Sequence, residues 1–87
     1  MYLILTYDVE EKRVAKVLKV CRKYLNWVQN SVFEGQITEA KFEKLKLELE
    51  RTMNPETDSV RFYVLRDASS FKLEVLGSDK SESFQIY

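Results

Sequence analysis

The sequence predicts an α+β fold: one sheet of the split βαβ kind with two helices on one of its faces. Two observations carry that expectation. Apolar residues at helical spacing fill only two segments, and strand-like runs alternate with them in the order strand, helix, split strand, helix, strand. A chain of 87 residues also holds enough apolar surface for one core and not for two.

Each element has its own signal. Tyr2-Leu-Ile-Leu-Thr-Tyr7 is aliphatic, aromatic and β-branched and stops at Asp8, the pattern of a central strand opening into a loop. From Glu11 to Tyr24, Val14, Val17, Leu18 and Cys21 recur at spacings of three and four, and Leu25 extends the stripe, so a helix with one buried face is expected. Asn26 tolerates left-handed backbone angles and is expected to stop it. Trp27 to Gly35 alternates apolar and polar residues except at Ser31 and Val32. That slip of phase predicts a bend or bulge near Asn30 and Ser31 and a second short strand running to about Ile37. Thr38 suits the N-cap of a second helix and Glu39 the positive end of its dipole. Phe42, Leu45, Leu49 and Met53 form the buried stripe, and Asn54-Pro55 ends it. Asp58 to Arg66 and Phe71 to Leu76 are strand-like and joined by the short polar Asp67-Ala-Ser-Ser70, so they should pair as a hairpin. After Gly77-Ser-Asp-Lys-Ser-Glu82, the run Ser83-Phe-Gln-Ile-Tyr87 reads as a last strand seeking a sheet edge. The whole is a ferredoxin-like βαββαβ sandwich with an additional C-terminal strand. It forms a single domain over 1–87, with 78–87 a C-terminal tail and strand.

Hydrophobic residues at 45% and charged residues at 32% exclude a mostly disordered chain. Lys plus Arg and Asp plus Glu are 14 each, so any case for a polyanionic partner must be local. A lone Cys21 cannot form an internal disulfide, and no leader precedes the first strand. With no apolar stretch near the roughly 20 residues that span a bilayer, a cytoplasmic protein without a membrane span is expected. Tyr2, Ile4 and Thr6 oppose Leu3, Leu5 and Tyr7, and Arg61, Tyr63 and Leu65 oppose Val60, Phe62 and Val64. Helices can cover only one of these largely apolar faces, so the other is expected to pack on a second copy, giving a homodimer.

Asp8 follows a buried strand directly, where a rigid scaffold presents a side chain at the mouth of the sheet; capping the following turn is the plainer role for an aspartate there. With no histidine and one cysteine, the chain offers hard oxygen ligands, which suit Mg²⁺ or Mn²⁺ and not zinc. One carboxylate per chain is sparse, and two copies meeting at a dimer axis would make it adequate. Every charged side chain from Lys12 to Lys23 is basic. Lys12, Lys16, Lys19 and Lys23 fall on one helical face able to track a phosphate backbone, with Arg13 and Arg22 beside them; a solvated helix face is the alternative. Arg61 and Arg66 are further cationic candidates. Ser31 could donate to a phosphate and Phe33 stack on a base or seal the dimer, or both could be turn and core. No Gly-rich phosphate loop, nucleophile elbow, paired-Cys motif or His-based triad is present.

Three features coincide: a strand ending in Tyr7-Asp8, a basic helix carrying Arg13-Val-Ala, and Gln29-Asn-Ser-Val-Phe-Glu-Gly35 before the second helix. Together they resemble the CRISPR-associated Cas-two family over nearly the whole chain. The resemblance implies a ferredoxin-like symmetric dimer that acts as a Mg²⁺-dependent endonuclease on RNA or DNA and bridges two dimers of the CRISPR integrase during spacer acquisition. By the same resemblance Asp8 is the metal-binding and catalytic carboxylate, with Tyr7, Arg13, Ser31 and Phe33 as neighbouring functional positions. The chain departs from some relatives in having Trp27 where they carry a basic residue, and from others in having Glu10 and Glu11 where they carry arginines. Those departures bear on cleavage and leave the dimer and scaffold expectations intact. A virulence-associated toxin-like ribonuclease of similar fold and a non-catalytic ferredoxin-like interaction module are the alternatives.

Overall fold

The computed structural model describes residues 1–67 and 70–78, in the order β1 (Tyr2–Asp8), α1 (Glu11–Arg22), β2 (Asn26–Gln29), β3 (Val32–Gln36), α2 (Glu39–Thr52), β4 (Ser59–Asp67) and β5 (Ser70–Gly77). The strands form one antiparallel sheet ordered β2-β3-β1-β4-β5, a ferredoxin-like arrangement with β5 added outside β4. The strand expected over 83–87 lies outside the described residues.

Strand alternation decides which face is covered. Leu3 and Leu5 of β1 stand beside Gly35 and Phe33 of β3 and beside Val64 and Phe62 of β4, and all are buried. Val17 and Cys21 of α1 and Phe42, Leu45 and Leu49 of α2 close over that face, with the Phe42 ring edge-on to Phe62 at 5.1 Å. The α2 stripe read from the sequence is the one buried, whereas in α1 Val17 and Cys21 are buried and Val14 and Leu18 only half-buried. Tyr2, Ile4, Tyr63 and Leu65 point to the opposite face, which α1 and α2 do not cover.

Thr38 caps α2 as expected, its hydroxyl accepting from the Lys41 amide at 3.2 Å. The end of α1 differs from expectation. The Lys23 amide donates to Val20 and the Tyr24 and Leu25 amides to Cys21, so the chain unwinds in a right-handed turn and Asn26 already pairs with Glu34 in β2. The left-handed asparagine is Asn30, with φ 44°, in the β2–β3 turn. The indole N–H of exposed Trp27 donates to the Asn30 carbonyl at 3.0 Å and closes that turn, so the bend falls near Asn30 as expected, while the β2–β3 register shift falls earlier, between Trp27 and Gln29. At the other edge Gly77 is required: at φ 84°, a Cβ there would stand 2.1 Å from the Asp58 carbonyl oxygen. No helix among the described residues is long and apolar enough to cross a membrane.

Candidate functional site

β1 runs out into solvent at Asp8, and its antiparallel neighbours supply the walls of a cleft there. Asp8 stands opposite Ser59 and Thr6 opposite Arg61 on β4, while the Tyr7 amide donates to the Ser31 carbonyl at 3.1 Å and ties the β2–β3 turn to the same place. Thr6, Tyr7, Asp8, Ser31, Val32, Ser59 and Arg61 enclose about 120 Å³. The structure thus brings Asp8, Tyr7 and Ser31 together. It adds Ser59, which sequence reasoning missed, and Arg61, which it held only as a minor candidate. An antiparallel β1–β4 pairing, which sets the start of β4 beside the end of β1, is the signal that could have found Ser59.

Tyr7 is half-buried against Phe33, ring centroids 6.3 Å apart, and that burial raises its hydroxyl above the ordinary tyrosine value. Its ring therefore lies on the helix-covered side of β1, against the core and beside Cys21 and Arg22 of α1, while Asp8 is on the opposite face. Phe33 itself has no exposed surface. It supports Tyr7 from the core, and the expectation that it stacks on a base is corrected by that burial.

Arg13 is also placed differently from a substrate contact. Its Nε donates to Asp58 Oδ2 at 2.5 Å, and its Nη2 to Asp58 Oδ1 at 3.1 Å, Glu10 Oε1 at 2.6 Å and Thr57 Oγ1 at 3.1 Å. The guanidinium beside Asp58 holds that carboxyl well below the usual carboxylate range, with the Asn54 and Glu10 amides helping against the opposing effect of burial. Glu10 is lowered too, first by the Thr57 hydroxyl and then by Arg13.

The rest of the basic segment lies on the helical layer. Lys12, Lys16 and Lys19 are exposed, while Lys23 bonds to Glu48 of α2, which also accepts from the Tyr24 hydroxyl. Lys16, Lys19, Val20, Lys23 and Thr52 line a groove of about 410 Å³ between the two helices. Arg66 is engaged by Glu39, with Nη2 to Oε1 at 2.7 Å.

The cleft's donors are oxygens: the Asp8 carboxylate and the Ser31 and Ser59 hydroxyls. No group of three His, Cys, Asp or Glu that could hold a metal exists among the described residues. That donor set fits a hard, largely hydrated cation such as Mg²⁺ or Mn²⁺ and does not fit zinc.

A ferredoxin-like sheet with a carboxylate at the open end of its central strand, and a cation-bearing helix on the other layer, defines a small α+β protein with two polar surfaces. The sequence profile of the family described as CRISPR associated protein Cas2 matches residues 1–73, and the chain belongs to that family. It is similar to the CRISPR-associated endoribonuclease Cas2 of Thermotoga maritima, 56% identical over 87 residues with 100% of both chains covered. Its likeness to the protein of the same name from Dictyoglomus turgidum is 52% over 86 residues, covering 99% of each. A solved structure described as "Crystal structure of cas2" superposes with a TM-score of 0.74 at 42% identity, covering 100% of this chain and 98% of that one.

Proposed function

We propose that this chain is a metal-dependent endoribonuclease of CRISPR adaptation that works as a homodimer, with cleavage at the Asp8 cleft and scaffolding on the α1 cations. The observation that carries the reading is the convergence of Asp8, Ser31, Ser59 and Arg61 on one cleft, in a chain whose relatives are named endoribonucleases. Asp8 would hold Mg²⁺ or Mn²⁺. When bound, such an ion activates water and neutralises charge at a scissile phosphate. The Arg61 guanidinium adds positive charge beside it, the Ser31 hydroxyl can donate to phosphate oxygens, and Tyr7 supports the strand end from the core side. Asp8 shares the uncovered face with Tyr2, Ile4 and Thr6. A second copy covering that face therefore brings its own Asp8 toward the same rim and supplies the carboxylate that one chain lacks.

The scaffold role rests on a separate observation, the placement of Lys12, Lys16, Lys19 and Lys23 on the helical layer. There they can hold the phosphates of duplex DNA, with integrase dimers as protein partners, without competing for the cleft. Single-stranded RNA is the substrate we assign to the cleft. We place this work in the cytoplasm, which suits the unpaired thiol of Cys21. The test is Asp8→Asn, which keeps shape and removes charge. Single-stranded RNA cleavage in Mg²⁺ should fall to background while integrase and DNA binding persist. Undiminished cleavage by the purified variant would contradict the role of Asp8, and loss of both activities in a folded dimer would contradict their separation.

A further inference from the structure

Asp58 is, among the described residues, the one charged residue with no exposed surface. A carboxylate in that position is tolerable only when fully bonded, so its donors show what it holds. Oδ1 accepts from the Glu10 amide at 3.0 Å and Oδ2 from the Asn54 amide at 2.9 Å, while Arg13 reaches both oxygens. Glu10 and Arg13 belong to the turn and first helical residues that follow Asp8. Ser59, the residue after Asp58, faces Asp8 across the β1–β4 ladder. One buried side chain thus fastens the segment leaving Asp8 to the segment standing opposite it. The Asp58 backbone is itself fixed, its amide donating to the Asn54 carbonyl at 2.8 Å and its carbonyl accepting from Ser78 at 3.0 Å.

We propose that Asp58 is a positioning residue for Asp8: with Arg13 it sets the turn from Asp8 to Glu10, and so the direction in which the Asp8 carboxylate enters the cleft. The proposal rests on the reading of Asp8 as the working carboxylate. Val9, packed against the core, anchors the same turn from below, and Asp58 anchors it from the side. With Nε and Nη2 of Arg13 engaged, the guanidinium is fixed against Asp58 and Glu10 and acts on the site through them.

A brace that only adds stability would change unfolding and leave turnover alone. The test compares two folded double variants, Arg13→Met with Asp58→Ala, which removes guanidinium and acceptor together, and Arg13→Met with Asp58→Asn, which keeps an acceptor for the Glu10 amide. Removing both charges avoids stranding either one in the protein. In the alanine pair kcat for RNA cleavage should drop by about 10²-fold, the scale of a small misplacement at a reacting centre, with KM nearly unchanged. The asparagine pair should recover part of that loss, and hydrogen exchange at the Glu10 amide should be fast in the first and slower in the second. Parent-like kcat in the folded alanine pair would overturn the proposal, as would a raised KM at unchanged kcat, which would make Arg13 a contact to RNA. Should the alanine pair fail to fold, the asparagine pair is read against the parent for the same split of kcat from KM. If the parent itself cleaves no RNA, the nuclease reading falls alone and the NMR signals of the Asp8 side chain decide: a shift in the folded alanine pair that the asparagine pair partly reverses supports the positioning role, and parent-like Asp8 signals in the alanine pair overturn it.

Discussion

Asp8 and Asp58 are two aspartates of one β1–β4 corner, and their surroundings give them opposite work. Asp8 is exposed at the cleft, while Asp58 is sealed under Arg13 and two backbone amides. Since Asp58 is held ionised below its ordinary range, first by Arg13, its folded-state pKa is depressed relative to the unfolded chain. The stability it contributes is then complete above the unfolded value of about 3.9 and is lost as pH falls below that toward the folded value. Thermal unfolding followed from neutral pH downward should show this acid loss in the parent, and Asp58→Asn should start less stable and fall less steeply. Parallel curves for the two proteins would show that Asp58 does not govern the acid limb. The exposed place of Asp8 at the end of β1 could be read from the chain, because a carboxylate directly after a buried strand needs no distant partner to be noticed. The place of Arg13 could not, since its partner lies 45 residues away and only the folded β4 entry brings them together. For Phe33 the core reading held, though alternation marks it as apolar without saying that it lies beneath Tyr7.

Helical stripes and strand alternation were readable wherever burial is one-sided, as with Phe42, Leu45 and Leu49 of α2 or Leu3 and Leu5 of β1. Turns were harder, because Asn26 and Asn30 have the same chemistry and the local hydrogen bonds choose between them. A residue in the left-handed region tolerates Gly or Asn and penalises branched side chains. Asn30→Gly should therefore leave stability nearly unchanged, whereas Asn30→Val should cost about 1–2 kcal/mol in chemical denaturation. Equal stability of the two would mean that the turn does not need its positive φ. The α1 cations make an independent prediction. Lys16, Lys19 and Lys23 changed together to Ala should lower duplex DNA affinity alike across sequences and flatten its salt dependence, as loss of phosphate contacts requires. Stability should move little, because the Lys23–Glu48 pair is largely exposed. Unchanged DNA binding, alone and with the integrase, would return the helix to an ordinary solvated face.

The sheet as a whole has two apolar faces and helices for one of them. This imbalance could be seen in the sequence, in Tyr2 and Ile4 set against Leu3 and Leu5. The structure adds that Asp8 lies on the uncovered face, at the end where the cleft opens. Dimer and cleft are therefore linked expectations: a second copy buries Tyr2, Ile4, Tyr63 and Leu65 and completes a sparse carboxylate site. The measurement that tests this most directly is calorimetric titration of Mn²⁺ into the purified protein, with its mass followed by sedimentation. The expected result is a particle of twice the chain mass that binds one ion for every two chains, and loss of that binding in an Asp8→Asn protein that remains a dimer. A monomer, a full ion per chain, or binding unchanged by Asp8→Asn would contradict it.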